Sequence, residues 1–109
     1  MIYKRNNNEY KTPVNGVEQK TLVYGENTLM TEFRLKKGAE IPPHKHPHEQ
    51  TGYLVSGKIR MRIDSETYEC EPGDGWCIPG NVLHGADAEK DSIAVEVFSP
   101  VRKDYLPNR

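Results

Sequence analysis

The sequence predicts an all-β protein, a sandwich or barrel of short strands, and three observations carry that expectation. No helical period of apolar residues is sustained anywhere. Apolar and polar residues alternate instead over short segments, the pattern of strands with one face buried. Between these segments stand clusters of Gly, Pro, Asp and Asn, residue types that close tight corners.

Residues 21–24 (TLVY) are a short β-rich run. Residues 27–36 alternate, with Leu29, Thr31, Phe33 and Leu35 on one face and Met30, Glu32, Arg34 and Lys36 on the other, until Lys37 and Gly38 break the pattern. A stretch holding Pro42, Pro43, Pro47 and three histidines follows, then residues 51–56 (TGYLVS), stopped at Gly57. Residues 58–64 (KIRMRID) have the clearest period of two, placing Ile59, Met61 and Ile63 inward and Lys58, Arg60 and Arg62 in water. Asp64, Ser65 and Glu66 make a turn, and residues 67–70 return as the hairpin partner. Residues 72–75 are a corner, 76–78 a strand, and 79–81 another corner. Residues 93–98 (IAVEVF) are the last strong strand. Its fully apolar set, Ile93, Val95 and Val97, is expected in the core. The tail from Pro100 onward is polar and expected to lie over the barrel.

At 109 residues the chain is one domain's worth, and its 35% apolar content supports a modest core. Fifteen basic residues against 16 acidic ones leave a net charge of −1, which argues against a surface that tracks nucleic-acid phosphates. The N-terminal residues are polar and do not form a secretory signal, and no window approaches the ~20 apolar residues of a membrane span. Cys70 and Cys77 form neither a CxxC pair nor a disulfide-dense pattern, so a cytoplasmic location is expected, with both packed as small buried hydrophobes.

The chemistry concentrates in His44-Lys45-His46-Pro47-His48. Residues two apart on an extended strand share a face, so His44 and His46 would aim both imidazoles at one point inside a barrel. Such convergence suits a borderline divalent metal. Gln50 begins the next strand, where its amide could turn back to the same point. Glu96, between Ala94 and Phe98, is an oddity: a buried carboxylate has to be paired, protonated or facing a wet cavity. Lining a cavity it would donate or accept protons; the other possibility is an exterior strand position.

With these residues in place, the sequence resembles the cupin superfamily. The first cupin motif is matched by Gly38, His44, His46, Gln50 and Gly57, and the second by Gly73, Pro79, Asn81 and His84, with Ala88 at its final position. The resemblance covers roughly residues 28 to 100 and implies a single cupin domain over residues 1–109, folded as a double-stranded β-helix (jelly-roll) barrel of RmlC-like type. It also implies one divalent ion (nickel, manganese, iron, zinc or copper) on His44, His46, Gln50 and His84. Three departures stand out. Gln50 replaces the usual Glu, so neutral ligands leave the ion its full charge, which weakens binding and strengthens polarisation of a bound oxygen. Asn81 replaces a Gly, a substitution its tolerance of left-handed backbone permits. Ala88 replaces an Asn and loses one supporting hydrogen bond. His48 is expected to cap the rim or support the ligands.

Residues 97–106 are similar to the ending of small cupins linked to uronate polysaccharide (pectin) degradation, which linearise 4,5-unsaturated monouronates to open-chain keto acids. That resemblance implies catalytic roles for Glu96, Phe98 and Arg102, with Glu96 standing where those proteins carry Asp. Arg102 would clamp a substrate carboxylate, or else form a surface ion pair with Asp104. Three functions follow as expectations: a metal-dependent enzyme acting on a small sugar acid, a metal-dependent dioxygenase, or a non-catalytic module binding a small molecule. A homodimer is expected by analogy with other small cupins, with neither nucleic acid nor membrane as a partner.

Overall fold

A computed structural model of the chain describes residues 1–107. Ten strands run in chain order: β1 Lys11–Val14, β2 Val17–Tyr24, β3 Leu29–Leu35, β4 Glu40–His44, β5 Glu49–Ser56, β6 Ile59–Ile63, β7 Glu66–Cys70, β8 Gly75–Ile78, β9 His84–Ala88 and β10 Ser92–Ser99. One turn of 3-10 helix, Lys103–Tyr105, follows them. All pairings are antiparallel and build two sheets, β1-β2-β3-β10-β5-β8 and β4-β9-β6-β7. The all-β jelly-roll barrel expected from the sequence is the architecture observed.

The inner faces of the two sheets close on one core. Leu29, Thr31, Phe33 and Leu35 of β3 are buried in alternation, as the period of two requires. Ile59 and Met61 face them from the smaller sheet, with Leu54 and Ile78 from the larger one. Three corners that the motifs mark with Gly do need it: Gly38, Gly57 and Gly73 all have positive φ. Asn81 also sits in the left-handed region, at φ 64°, as its side chain allows.

Two parts of the sequence reading are corrected here. On β10 the buried residues are Ser92, Ala94, Glu96 and Phe98, whereas Ile93, Val95 and Val97 are half-buried on the outer face. The apolar set covers the outside of the larger sheet, and the polar-bearing set faces the cavity. Of the two cysteines only Cys70 is buried; Cys77 is exposed on β8, and both are free. Two strands were also missed. β9 is built from small residues (HGADA) that lack β-branched side chains, and β1 carries Pro13 on a sheet edge, where a missing N–H is tolerated.

Candidate metal centre and cavity

The site is assembled by clipping the second histidine segment onto the first. His44 and His84 are register partners in the β4–β9 ladder. The backbone N–H of Asn81 donates to the His46 carbonyl at 2.7 Å. Gly80 makes this approach possible, since a Cβ there would lie 2.4 Å from the Pro47 carbonyl oxygen. The result is that one potential ligand nitrogen from each of His44, His46 and His84 lies within 4.8 Å of the others. His46 lies beyond the end of β4, so this backbone clip, rather than strand alternation alone, places its ring.

Each imidazole is held the same way. Nδ1 of His44 lies 2.9 Å from the Pro42 carbonyl, Nδ1 of His46 lies 3.0 Å from the His48 carbonyl, and Nδ1 of His84 lies 2.8 Å from the Val82 carbonyl. A carbonyl only accepts, so each Nδ1 carries the proton and each Nε2 keeps its lone pair. The Nε2 of His84 is buried without a hydrogen-bond partner among the described residues. Nε2 of His46 lies 2.9 Å from Oε1 of Gln50. The Gln50 amide is oriented by its other end, because its Nε2 donates to Glu96 Oε1 at 2.6 Å. Two lone-pair atoms therefore face each other across hydrogen-bond distance, an arrangement that a shared cation relieves.

Protonation is a poor substitute for that cation. Burial, opposed in part by the Val82 carbonyl, pushes His84 down to about 4. Burial and then the Arg102 charge lower His46 as well. Neutral imidazoles with free Nε2 atoms, beside an amide oxygen, are the donor set of a borderline divalent ion, and the residues present fit one.

Below the histidines lies a cavity of about 120 Å³, lined by His44, His84 and Gln50 at one side and by Glu96, Phe98 and Arg102 at another. The fold thus brings together all seven residues singled out in the sequence, although His46 touches the group through Gln50 and through the Phe98 ring, centroids 5.6 Å apart. Glu96 is buried, not exterior. Burial raises its pKa above the usual carboxylate range, with hydrogen bonds from Trp76 and Gln50 and the charge of Arg102 acting against that rise. Arg102 does pair with Asp104, Nε to Oδ1 at 3.2 Å and Nη2 to Oδ2 at 2.7 Å. It is nevertheless far from a simple surface ion pair: its side chain is 14% exposed and its guanidinium stacks on Tyr105 and Phe98, 4.0 and 5.0 Å from the ring centroids. His48 is half-buried, its ring beside that of His46 with centroids 5.5 Å apart.

Sequence reasoning missed Trp76, Gly52 and Tyr105. Trp76 Nε1 donates to Glu96 Oε1 at 2.8 Å. Tyr105, on the 3-10 turn after β10, packs edge-on against Phe98 and Phe33 and lines the cavity. The one signal available was the glycine inside the strand TGYLVS, since a strand glycine often marks a close approach.

Residues 31–100 match the family described as Cupin domain. The chain belongs to the cupin family. Among curated proteins, this cupin is 31% identical over 93 residues to the pectin degradation protein KdgF of Dickeya dadantii (strain 3937), covering 84% of each chain. Its fold superposes on the structure of KdgF from Halomonas sp. with a TM-score of 0.90 and 29% identity, spanning 97% of this chain and 100% of that one. An RmlC-like cupin from Shewanella frigidimarina NCIMB 400 gives 0.89 and 27%, covering 95% of both. Salicylate 1,2-dioxygenase from Pseudoaminobacter salicylatoxidans is 20% identical (TM-score 0.75, 82% of this chain and 26% of that one), a likeness of fold alone. Among the described residues no helix is long and apolar enough to cross a membrane.

Proposed function

We propose that this cupin is a metal-dependent isomerase that linearises a 4,5-unsaturated uronate. The observation that carries the proposal is the placement of one buried carboxyl, Glu96, and one stacked guanidinium, Arg102, in the same cavity as the three histidines and Gln50. The likeness to KdgF over most of both chains supports the substrate class.

His44, His46, Gln50 and His84 would hold the ion. Bound there, it would act as a Lewis acid that polarises a sugar oxygen, undiminished in charge because all four ligands are neutral. The remaining work falls to the chain's own side chains. The bonds to Asp104 use Nε and Nη2 of Arg102, leaving its Nη1 hydrogens for the uronate carboxylate. Phe98, itself buried, walls the cavity. Ring opening removes a proton from the anomeric hydroxyl as the bond from C1 to the ring oxygen breaks, and ketonisation returns a proton to C4. One carboxyl that first accepts and then donates balances both, with no redox change. Glu96 is the residue for it: it is the buried carboxyl that lines the cavity, and burial raises its pKa, which favours the protonated form that donates.

Purified protein incubated with a 4,5-unsaturated monouronate should abolish the absorbance of the conjugated alkene much faster than buffer does. Removal of metal should stop the reaction and a divalent ion should restore it. No acceleration over buffer contradicts the proposal, and oxygen uptake during turnover would favour dioxygenation instead.

A further inference from the structure

Resting on that enzymatic reading, we infer that Trp76 is a positioning residue whose indole N–H, seated over Gly52, fixes the Glu96 carboxylate so that Oε2 alone is left to exchange a proton with substrate.

The clamp arises from a row across three strands. Glu96 of β10 pairs with Gly52 of β5, and Gly52 pairs with Trp76 of β8. Side chains at both ends of such a row point to the same face, about 10 Å apart at their backbones. A residue with a Cβ in the middle would keep them apart: at Gly52 a Cβ would fall 2.1 Å from Trp76 Nε1. With glycine there the indole lies across the strand and reaches Oε1 of Glu96 at 2.8 Å. Gln50 donates to the same Oε1 from the other side at 2.6 Å. One carboxylate oxygen is thus committed twice, while among the described residues no side chain bonds the other.

The clamp also suits the extra methylene of this acid. A glutamate has one more rotatable bond than an aspartate, and a carboxylate that rotates freely spends little time aimed at a substrate atom. Two donors on one oxygen remove that freedom. Gln50 keeps its own bond to that oxygen without Trp76, so the amide whose Oε1 faces His46 retains its aim when the indole N–H is lost. Among the described residues the Trp76 side chain hydrogen-bonds Glu96 and neither a histidine, Gln50 nor Arg102. Its loss should therefore act on turnover rather than on binding.

Trp76 is the chain's one tryptophan, so growth on β-(3-benzothienyl)alanine exchanges this ring alone and removes its N–H while keeping its shape. With the unsaturated monouronate as substrate, kcat should fall by about ten- to a hundredfold, the worth of a hydrogen bond to a charged group. KM and metal content should hold. Gly52→Ala, which displaces the indole, should reproduce the loss. Unchanged kcat, or a loss shared with KM or metal content, overturns the assignment. In parallel, the indole N–H resonance should move upfield in Glu96→Gln, where a neutral amide replaces the carboxylate. An unmoved resonance overturns the clamp whether or not the uronate is turned over. A moved resonance in a protein inactive on uronates retains the clamp and discards only the substrate.

Discussion

The two sides of the cavity are held in place by different means. On the histidine side, all three Nδ1 atoms are tied to backbone carbonyls two residues away in sequence. On the acid side, Glu96 is tied to Trp76 and Gln50, 20 and 46 residues distant. Local ties preset each ring's tautomer and direction as soon as its own segment folds. Long-range ties exist only once β5, β8 and β10 are in register. The tautomer of each imidazole is accordingly a property of its own short motif, while the β4–β9 ladder and the Asn81 clip bring the motifs together, and the proton-handling half is a property of the larger sheet.

The sharpest way to break this division is to delete one group from each side. His46→Ala should lower metal affinity by more than the ~100-fold typical of losing a supporting partner, and turnover should vanish with the metal. Glu96→Gln should keep the metal yet lose about 10²–10⁴ in kcat, the range of general acid–base catalysis. Elemental analysis and kinetics on the two variants separate the roles. Equal metal loss in both would mean that the two sides are one unit.

A smaller effect sharpens the comparison through pH. Burial holds His84 at about 4 and lowers His46 too, whereas in the unfolded chain both return to about 6.5. Between those values the unfolded state binds more protons, so the metal-free fold is most stable above about pH 6.5 and loses stability as pH falls towards 4. At ~1.4 kcal/mol per pKa unit, His84 alone accounts for on the order of 3 kcal/mol. Glu96, raised by burial, works in the opposite sense, so urea midpoints are best compared in the metal-free Glu96→Gln protein at pH 7 and pH 4.5. Equal midpoints would contradict the burial of the histidines as neutral rings.

The same division explains what the sequence made legible. Gly38, Gly57, Asn81 and the histidine spacing are local backbone requirements, and each occurs where expected. Alternation on β3 and β6 was equally readable, because one face of each strand is plain core. On β10 the same rule inverted the strand. A cavity that needs a carboxylate must face the residues that look exterior, so Glu96 and Phe98 turned inward and the apolar Ile93, Val95 and Val97 outward. Trp76 and Gly52 carry no local mark that joins them to Glu96; only the register of three strands does. Ala88, in place of the Asn of the motif, keeps its corner through backbone bonds to Gly38 and Ala39, which no side-chain pattern records.

The reaction proposed for this cavity requires that His44, His46, Gln50 and His84 share one ion. Crystals grown with manganese or nickel and measured for anomalous scattering test this directly. The account predicts a single strong peak per chain about 2.0–2.2 Å from the three Nε2 atoms and the Gln50 Oε1. A peak elsewhere, or none while the four side chains stay in place, would contradict it.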